Sequence, residues 1–227
     1  MRREKTSVSQ EDYLKAIWET VQEGEKPISA RLAEGLGVTP PAVTAALKRM
    51  TRGGYARVGR DGSIGLTSKG RAIAQQLVLR HRLAEMLLTE VIGLGWTRAH
   101  EEAERLEHGI SAEVAALLLK RFGRDSRCPH GVPLFGGMMS LQRKFGAIRL
   151  SDAVPGQSYQ VLRVYEKDPK FLDFLAGLGV KPGVRMRVAN REYDETMTLS
   201  LASSPGAKIY LGKPATERIW VRRAGAA

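Results

Sequence analysis

Histidines and acidic residues are concentrated in one part of the sequence. All four histidines lie between residues 81 and 130. Four side chains in this region follow i, i+4, i+7 and i+8 spacing: His100, Glu104, Glu107 and His108. On an α-helix this spacing places them in one stripe. Because imidazole and carboxylate groups are ligands for divalent metals, the stripe could bind a metal ion.

A second pair of candidate ligands lies upstream. His81 and Glu85 are i, i+4 neighbours on a long helix predicted from residue 68 to 92, which could face the first helix. The remaining histidine, His130, follows the single cysteine, Cys128, by two residues. The ordinary alternative is a surface helix whose glutamates pair with neighbouring arginines. The presence of every histidine in this segment favours a metal site.

The same residues form no recognisable catalytic motif. Residues 100–104 begin like H-E-x-x-H but end in glutamate where the second zinc histidine belongs. No glutamate is followed by a histidine three residues later, as di-iron carboxylate bundles require. Phosphate-binding glycine loops and a G-x-S-x-G motif are missing. We therefore predict a binding protein rather than an enzyme, with no small organic substrate. A metallohydrolase is the alternative from another class.

The charge of the chain indicates a polyanionic partner. Its 227 residues include 36 lysines and arginines against 24 acids, a formal net charge of +12. Nine of these basic residues lie between Lys26 and Arg71, where only two acids occur. Such a surplus is typical of nucleic-acid binding, whereas the alternative is a solvated basic face on a helical bundle.

Composition excludes several other classes of protein. The apolar runs are shorter than the ~20 residues of a membrane span, and the N-terminus lacks a signal-peptide core. A single cysteine cannot form an internal disulfide, which excludes a secreted cysteine scaffold. We predict a cytoplasmic protein that does not bind a membrane.

The first 72 residues predict a winged helix-turn-helix. Apolar residues at 3–4 spacing predict a first helix opened by Ser9 as its N-cap. Ser29 and Thr39 are the predicted N-caps of two further helices, with Gly37 ending the earlier one. Residues 55–66 predict two short strands around an Asp-Gly turn, which would form the wing.

The third predicted helix, roughly residues 40–52, is the candidate DNA-reading element. Val43, Leu47 and Met50 mark its buried face. Its N-terminal turn would enter the major groove, and basic side chains on flanking elements would contact phosphates. The predicted contact residues are polar, basic or proline: Arg31, Thr39, Pro40, Pro41, Thr44, Lys48, Arg49, Arg52 and Arg60.

Helical periodicity is lost between residues 125 and 148, where glycine and proline are frequent, and this predicts a domain boundary. Beyond it, five runs rich in β-branched and aromatic residues predict a small β-barrel or sandwich: 158–165, 184–189, 196–202, 207–211 and 218–222.

Several motifs together resemble the diphtheria-toxin-repressor family of metal-dependent transcription repressors. They are residues 11–14, the helix-turn-helix, residues 66–70, 80–85, 104–108 and 128–131. The resemblance implies a fold that is mainly α with β, in three domains: a winged helix-turn-helix at 1–72, a helical dimerisation and metal-binding domain at 73–142, and a small SH3-like β-barrel at 148–223. It also implies a homodimer that represses genes by binding a double-stranded DNA operator.

The resemblance also implies two groups of metal ligands. The primary site would use Asp12, Glu104, Glu107 and His108, with His81 nearby. A second site would draw on His81, Glu85 and His100, or on Glu85 with Cys128 and His130. An acid from the C-terminal domain, Glu166 or Asp168, would complete it.

Departures from the family pattern bear on the metal and the operator. Asp12 and Glu104 stand where the iron-responsive branch has methionine and cysteine, and hard carboxylates suit Mn²⁺ better than soft ligands do. Lys15 replaces a second acid of short manganese regulators, which predicts separate sites rather than a closely spaced two-metal centre. Ala45 replaces a DNA-reading polar residue, so the operator contacts stay open. We predict a manganese-responsive regulator of metal-homeostasis genes, with Fe²⁺, Zn²⁺, Co²⁺ and Cd²⁺ as alternative ions. A winged-helix regulator that is not gated by metal is the alternative function.

Overall fold

The structure is a computed structural model that describes residues 8–204 and 206–224. The expectation about the N-terminus concerns residues 1–7, which lie outside this part. The α-helices are α1 (Val8–Gln22), α2 (Ser29–Leu36), α3 (Pro40–Arg52), α4 (Ser68–Met86), α5 (Ala99–Leu106), α6 (Ala112–Phe122), α7 (Met138–Phe145), α8 (Pro169–Gly177) and α9 (Lys213–Thr216). The strands are β1 (Ala56–Val58), β2 (Ile64–Leu66), β3 (Ile148–Arg149), β4 (Ser158–Val164), β5 (Arg185–Arg191), β6 (Met197–Leu201), β7 (Lys208–Leu211) and β8 (Ile219–Arg223).

Helices α1–α3 and the β1–β2 hairpin form the predicted winged helix-turn-helix. Thr39 caps α3, because its side-chain oxygen accepts a hydrogen bond from the backbone N–H of Ala42. Gly37 ends α2 in the left-handed conformation, with φ of 62°. The two serine caps were predicted wrongly: Ser9 lies inside α1, and Ser29 is the first residue of α2 rather than the residue before it.

One apolar core joins α1 to α3. Tyr13, Leu14 and Ile17 of α1 are buried in the same cluster as Val43 and Leu47 of α3. Packed cores resist small displacements because their side chains interdigitate at crystal-like density. The position of α1 therefore determines the position of α3.

Helix α4 runs from the winged helix to the candidate ligands His81 and Glu85. Its N-cap is Thr67, whose side chain accepts a hydrogen bond from the N–H of Gly70. A Cβ at Gly70 would collide with the carbonyl oxygen of Tyr55, so the wing packs directly against this first turn. The predicted domain boundary between residues 72 and 73 falls inside the 19-residue helix. A π-helical segment (Leu87–Val91) continues it.

The C-terminal region is a six-stranded antiparallel sheet with strand order β3-β8-β4-β5-β6-β7. The five predicted strands correspond to β4–β8. Helix α8 is not predicted by the sequence pattern. It packs Leu172 and Leu175 into the core of this sheet. Among the described residues, no helix combines the length and apolar character of a membrane span.

Candidate metal centres

Helix α1 meets the end of α5 at the first group of candidate ligands. Asp12 Oδ1 lies 2.9 Å from Nε2 of His108, and Glu11 Oε2 lies 3.0 Å from Nδ1 of the same ring. Glu107 Oε1 is 3.7 Å from His108 Nε2. One ligand atom from each of Asp12, Glu107 and His108 lies within 4.8 Å of the other two. We call these three residues the primary centre.

Lys15 of α1 lies beside the primary centre, a contact that the sequence reading did not predict. Its Nζ donates to both carboxylate oxygens of Glu107, at 2.9 and 2.7 Å. The same nitrogen lies 3.1 Å from His81 Nδ1 and 3.7 Å from Glu104 Oε1. Burial acts to lower the pKa of Lys15, but Glu19 and the other nearby carboxylates outweigh it, and the pKa is raised. Lys15 is therefore a charged ammonium.

Glu85 of α4 is shared by two further groups of candidate ligands. His81 Nε2 and His100 Nδ1 lie 3.1 and 3.2 Å from its Oε1 oxygen and 3.0 Å from each other. His130 Nδ1 lies 3.1 Å from the same oxygen. Cys128 completes the group of Glu85, Cys128 and His130, and all five residues are buried. We call them the Glu85 cluster.

Backbone contacts position the loop that carries two of these ligands. Gly131 N donates to Cys128 O at 2.8 Å, and Val164 N of β4 donates to His130 O at 3.0 Å. Gly131 has a φ of 91°, and a Cβ there would collide with the carbonyl oxygen of Leu162. Only glycine permits both this conformation and this close approach. The loop is thereby attached to the C-terminal domain.

Three predicted ligands lie outside these groups: Glu104, Asp168 and Glu166, the last of which belongs to an ionic network with Arg163. Glu104 has a side chain 55% exposed, and its Oε1 lies at the edge of both groups, 3.7 Å from Lys15 Nζ and 3.7 Å from His100 Nε2. Asp168 was predicted as an acid of the second site, and its placement corrects that prediction. Its carboxylate caps α8 by accepting from Phe171 N and accepts a hydrogen bond from Arg218 at 2.8 Å.

An ionic network joins the C-terminal domain to α1. Lys167 Nζ lies 2.7 Å from Glu19 Oε2, and Arg163 Nη2 lies 2.9 Å from Glu23 Oε1. Arg163 also pairs with Glu166 at 3.1 Å. Glu166, the other predicted acid, lines the same small cavity as Glu85 and Cys128. We call Glu19, Glu23, Arg163, Glu166 and Lys167 the brace, because they connect α1, the C-terminal sheet and the surroundings of the Glu85 cluster.

Burial and neighbouring charges shift the pKa values of the Glu85 cluster. Burial acts to raise the pKa of Glu85, but His130 and the other histidines hold it well below its ordinary value. Burial acts to lower the pKa of His81, but neighbouring carboxylates raise it to about 9. Burial raises the pKa of the Cys128 thiol well above its ordinary value, and the charge of Glu85 raises it further. A cation that binds Cys128 as thiolate must therefore displace a proton.

The donor chemistry of both groups fits a divalent metal. Carboxylates and an imidazole make the primary centre a site for hard or borderline ions, and Cys128 adds a softer ligand to the Glu85 cluster. His130 Nδ1 is buried and has no hydrogen-bond partner among the described residues, although Glu85 is 3.1 Å away. A cation bound between His130 and Glu85 would give that nitrogen a partner, since neutral imidazole binds metals through its lone pair.

The predicted DNA-contact residues lie at the surface. All nine are exposed, as is Ala45. Thr39 and Pro41 belong to the N-terminal turn of α3, where the helix would enter a groove. Arg31 is partly engaged within the domain, since it pairs with Glu25 at 3.1 Å.

A winged helix whose first helix faces a group of candidate metal ligands is typical of one class of protein, the metal-dependent DNA-binding repressors. Three family descriptions match in chain order: "Iron dependent repressor, N-terminal DNA binding domain" at residues 5–63, "Iron dependent repressor, metal binding and dimerisation domain" at 67–136, and "FeoA domain" at 148–223.

Individual proteins match over most of the chain. The diphtheria toxin repressor of Corynebacterium efficiens is 34% identical over 191 residues, which are 80% of this chain and 83% of that protein. A structure of a manganese-dependent transcriptional repressor in complex with manganese has a TM-score of 0.83 and 32% identity, covering 95% of this chain and 100% of that one. The structure of T. acidophilum IdeR has a TM-score of 0.74 and 28% identity, covering 97% and 100%. The chain belongs to the diphtheria-toxin-repressor family of metal-dependent, DNA-binding transcriptional repressors.

The stability of the metal-free protein should fall as the pH rises from about 6.5 to about 9. The pKa of His81 is about 9 in the folded state and 6.5 as its ordinary value, so protonated His81 stabilises the fold below pH 6.5 and the contribution is lost through pH 9. Urea denaturation with chelator across this range measures the effect. His81→Gln should reduce the slope but not abolish it, because Glu85 also raises the pKa of His130 against the effect of burial. An equal slope in both proteins would contradict the prediction.

Proposed function

We propose that this chain is a manganese-responsive repressor of metal-homeostasis genes in which metal ligation joins α1 to the dimerisation domain. One observation carries the proposal: Asp12, on a helix of the DNA-binding domain, faces Glu107 and His108 with ligand atoms within 4.8 Å. A divalent cation bound there supplies positive charge between carboxylates that otherwise repel one another. The expected place of action is the cytoplasm, with the DNA.

The position of α1 relative to the rest of the protomer determines the orientation of the DNA-binding domain, because α1 and α3 share one apolar core. Tyr13, Leu14 and Ile17 lie on α1 within one or two turns of Asp12 and pack in the core that contains Val43 of α3. Holding Asp12 therefore holds α3 at one orientation to the rest of the protomer. Two recognition helices of a dimer reach successive major grooves only when they are ~34–36 Å apart.

Manganese is supported by the oxygen-rich ligands of the primary centre. The similar structure with a TM-score of 0.83 is of a manganese-dependent transcriptional repressor in complex with manganese, which is a property of that protein. The Glu85 cluster contains a thiol, which suits Zn²⁺, Co²⁺, Cd²⁺ or Fe²⁺ better than Mn²⁺. An iron- or zinc-responsive repressor is therefore the second candidate. We assign the primary centre to Asp12, Glu107 and His108, with Glu104 at its edge, and a second site to the Glu85 cluster with Glu166.

A homodimer is supported by apolar side chains exposed on the middle domain. Val91 and Ile92, at the end of the π-helical segment, are 45% and 68% exposed. Val114 and Leu117 of α6 are 43% and 62% exposed. A two-fold axis would bury the same patch on both protomers. These residues lie within the region that matches the dimerisation domain.

The test of the function is selection of DNA by the metal-loaded protein. The purified chain is incubated with a random double-stranded DNA pool in Mn²⁺, Fe²⁺, Zn²⁺ or chelator at one salt concentration, since ionic strength alone changes affinity strongly. We expect one palindromic sequence to be enriched with Mn²⁺ and lost with chelator. Enrichment by Fe²⁺ or Zn²⁺ alone would support the second candidate. Equal enrichment with metal and chelator would contradict both.

Lys48→Ala should weaken binding to the selected operator and to unrelated DNA alike. Lys48 is exposed on α3, and the loss of one phosphate contact should reduce the slope of log affinity against log salt by about one. Fluorescence anisotropy at four salt concentrations measures the slope. Lys120→Ala, on α6 away from the DNA-binding domain, is the matched control. Equal slopes of log affinity against log salt in the two variants would show that Lys48 does not contact a DNA phosphate.

A further inference from the structure

Lys15 is a buried cation in a position where the proposed metal function gives it no role. The residue is 5% exposed, and its nitrogen lies among Glu107, His81 and the edge residue Glu104. A buried charge is costly unless it is paired and hydrogen-bonded. The pairing here uses a residue of the primary centre itself, Glu107.

The contacts of Lys15 resemble the environment of a bound ion. An ammonium has three donors and no acceptor. Two of its contacts go to the oxygens of Glu107, at 2.9 and 2.7 Å, and its nitrogen also lies 3.1 Å from His81 Nδ1, which is itself 2.6 Å from Glu107 Oε2. Glu104 Oε1 is a fourth, weaker contact at 3.7 Å. Two carboxylates and an imidazole would equally serve a divalent cation at the same point.

Glu107 therefore faces two positions. On one side are Asp12 and His108, the other two residues of the primary centre. On the other side is the ammonium of Lys15, three residues after Asp12 on the same face of α1. A carboxylate between two cationic positions is the arrangement of a bridging ligand in a two-metal site.

We propose that Lys15 is a tethered second cation of this centre, so that the centre binds a single metal ion and α1 is partly joined to Glu107 before any metal arrives. The proposal rests on the assignment of the primary centre to metal. Lys15 thereby limits the centre to one metal ion. It also lowers the affinity of the remaining position for metal, because its charge repels a neighbouring cation and its ammonium group is hydrogen-bonded to both oxygens of Glu107.

An ordinary structural ion pair predicts something different. If Lys15 only supported the fold, its loss would leave Glu107 misplaced and metal binding would weaken. If it is a tethered cation, Lys15→Met removes a repelling charge and frees Glu107 Oε1, while His81 Nδ1 keeps its 2.6 Å contact to Glu107 Oε2, so Mn²⁺ should bind at least tenfold tighter. Lys15→Glu places a carboxylate beside Glu104, Glu107 and His81 and should create a second metal position.

The experiment counts Mn²⁺ bound to the full chain by titration calorimetry and electron paramagnetic resonance. Lys15→Glu should bind one equivalent more than the wild-type protein, with the spectrum of a spin-coupled Mn²⁺ pair in place of the signal of an isolated ion. Arg98→Glu is the matched control, since it makes the same charge reversal on an exposed side chain that pairs with Glu101. It should bind the same number of ions as the wild-type protein.

Three outcomes would overturn the proposal. The first is an unchanged Mn²⁺ stoichiometry in Lys15→Glu, and the second is an unchanged or lower Mn²⁺ affinity in a folded Lys15→Met. The third is the absence of Mn²⁺ from the wild-type primary centre, which would be seen as equal numbers of bound Mn²⁺ ions in the wild-type and Glu107→Gln proteins. Circular dichroism establishes that each variant folds, and if Lys15→Met does not fold the count in Lys15→Glu decides. Operator binding is measured separately. If operator binding does not depend on metal but the numbers of bound Mn²⁺ ions are as predicted, the proposed function is rejected and the proposal about Lys15 stands.

Discussion

Replacing Glu107 with glutamine is expected to abolish metal-dependent operator binding, with a loss of about 100-fold in affinity, the upper part of the range for allosteric coupling. Glu107 is 1% exposed, and its carboxylate lies 3.7 Å from His108, 2.7 Å from Lys15 and 2.6 Å from His81. Glutamine keeps the shape of the side chain but removes the charge that would hold α1 through a cation. Anisotropy titrations of the selected operator with Mn²⁺ and with chelator measure the loss.

Two glutamates of α5 provide graded controls for this prediction. Glu104→Gln should have a smaller effect, because that side chain is 55% exposed and lies only at the edge of the centre. Glu101→Gln should have none, since its carboxylate pairs with the exposed Arg98. Equal effects of Glu104→Gln and Glu107→Gln would show that the stripe acts through its total charge rather than through the buried ligand.

Replacing Arg163 with methionine should lower the free energy of unfolding by about 3–5 kcal/mol, the cost of removing one partner from a buried ion pair. The side chain is 3% exposed and pairs with Glu23 of α1 and with Glu166. Methionine keeps most of the volume but leaves two carboxylates without a counter-charge in the brace. Urea denaturation at pH 7 measures the change.

The surface pair of Arg218 and Asp168 is the matched control for the brace. Their side chains are 46% and 36% exposed, and exposed pairs contribute about 0–1 kcal/mol. Arg218→Met should therefore change stability little. We also expect Arg163→Met to weaken operator binding, because Glu23 lies on the helix that holds α3. Normal stability in Arg163→Met would mean that water replaces the pair and that the brace does not hold α1.

The winged helix could be predicted from sequence because its signals are local. A threonine cap, a glycine in the left-handed conformation and an Asp-Gly turn each act within four residues, and all three occur where predicted. The predicted cap positions at Ser9 and Ser29 were wrong because sequence patterns locate a helix end only to within one or two residues. Any serine near a helix start satisfies the pattern, and the backbone of the neighbouring segment decides which residue is the cap.

The metal region was only partly predictable, because spacing shows which residues share a face but not what lies opposite. The spacing placed Glu107 and His108 in one stripe with His100, and the resemblance added Asp12 to the first two. The structure brings Asp12, Glu107 and His108 together and places His100 with His81 and Glu85. The pattern did not place Lys15 there, although its i, i+3 spacing from Asp12 put both on one face of α1. Lys15 was read as the loss of a ligand, whereas the structure pairs its charge with Glu107.

The acid from the C-terminal domain could not be chosen by sequence. Glu166 and Asp168 are two residues apart in an irregular connection, and their chemistry is the same. The difference arises from α8, an unpredicted helix whose N-terminus uses Asp168 as its cap. The brace was missed because Glu19 and Glu23 lie more than 100 residues before their partners.

The contact between Gly131 and Leu162 has a consequence for how this protein can be shortened. The turn that presents Cys128 and His130 lies against strand β4, closer than any side chain would allow, and its carbonyl is hydrogen-bonded there. A truncated chain ending before residue 148 would keep all five residues of the Glu85 cluster and lose the nearby Glu166, yet it would expose that turn to water. The last third of the protein therefore covers one side of the cluster, and we expect its removal to weaken any metal binding by these residues.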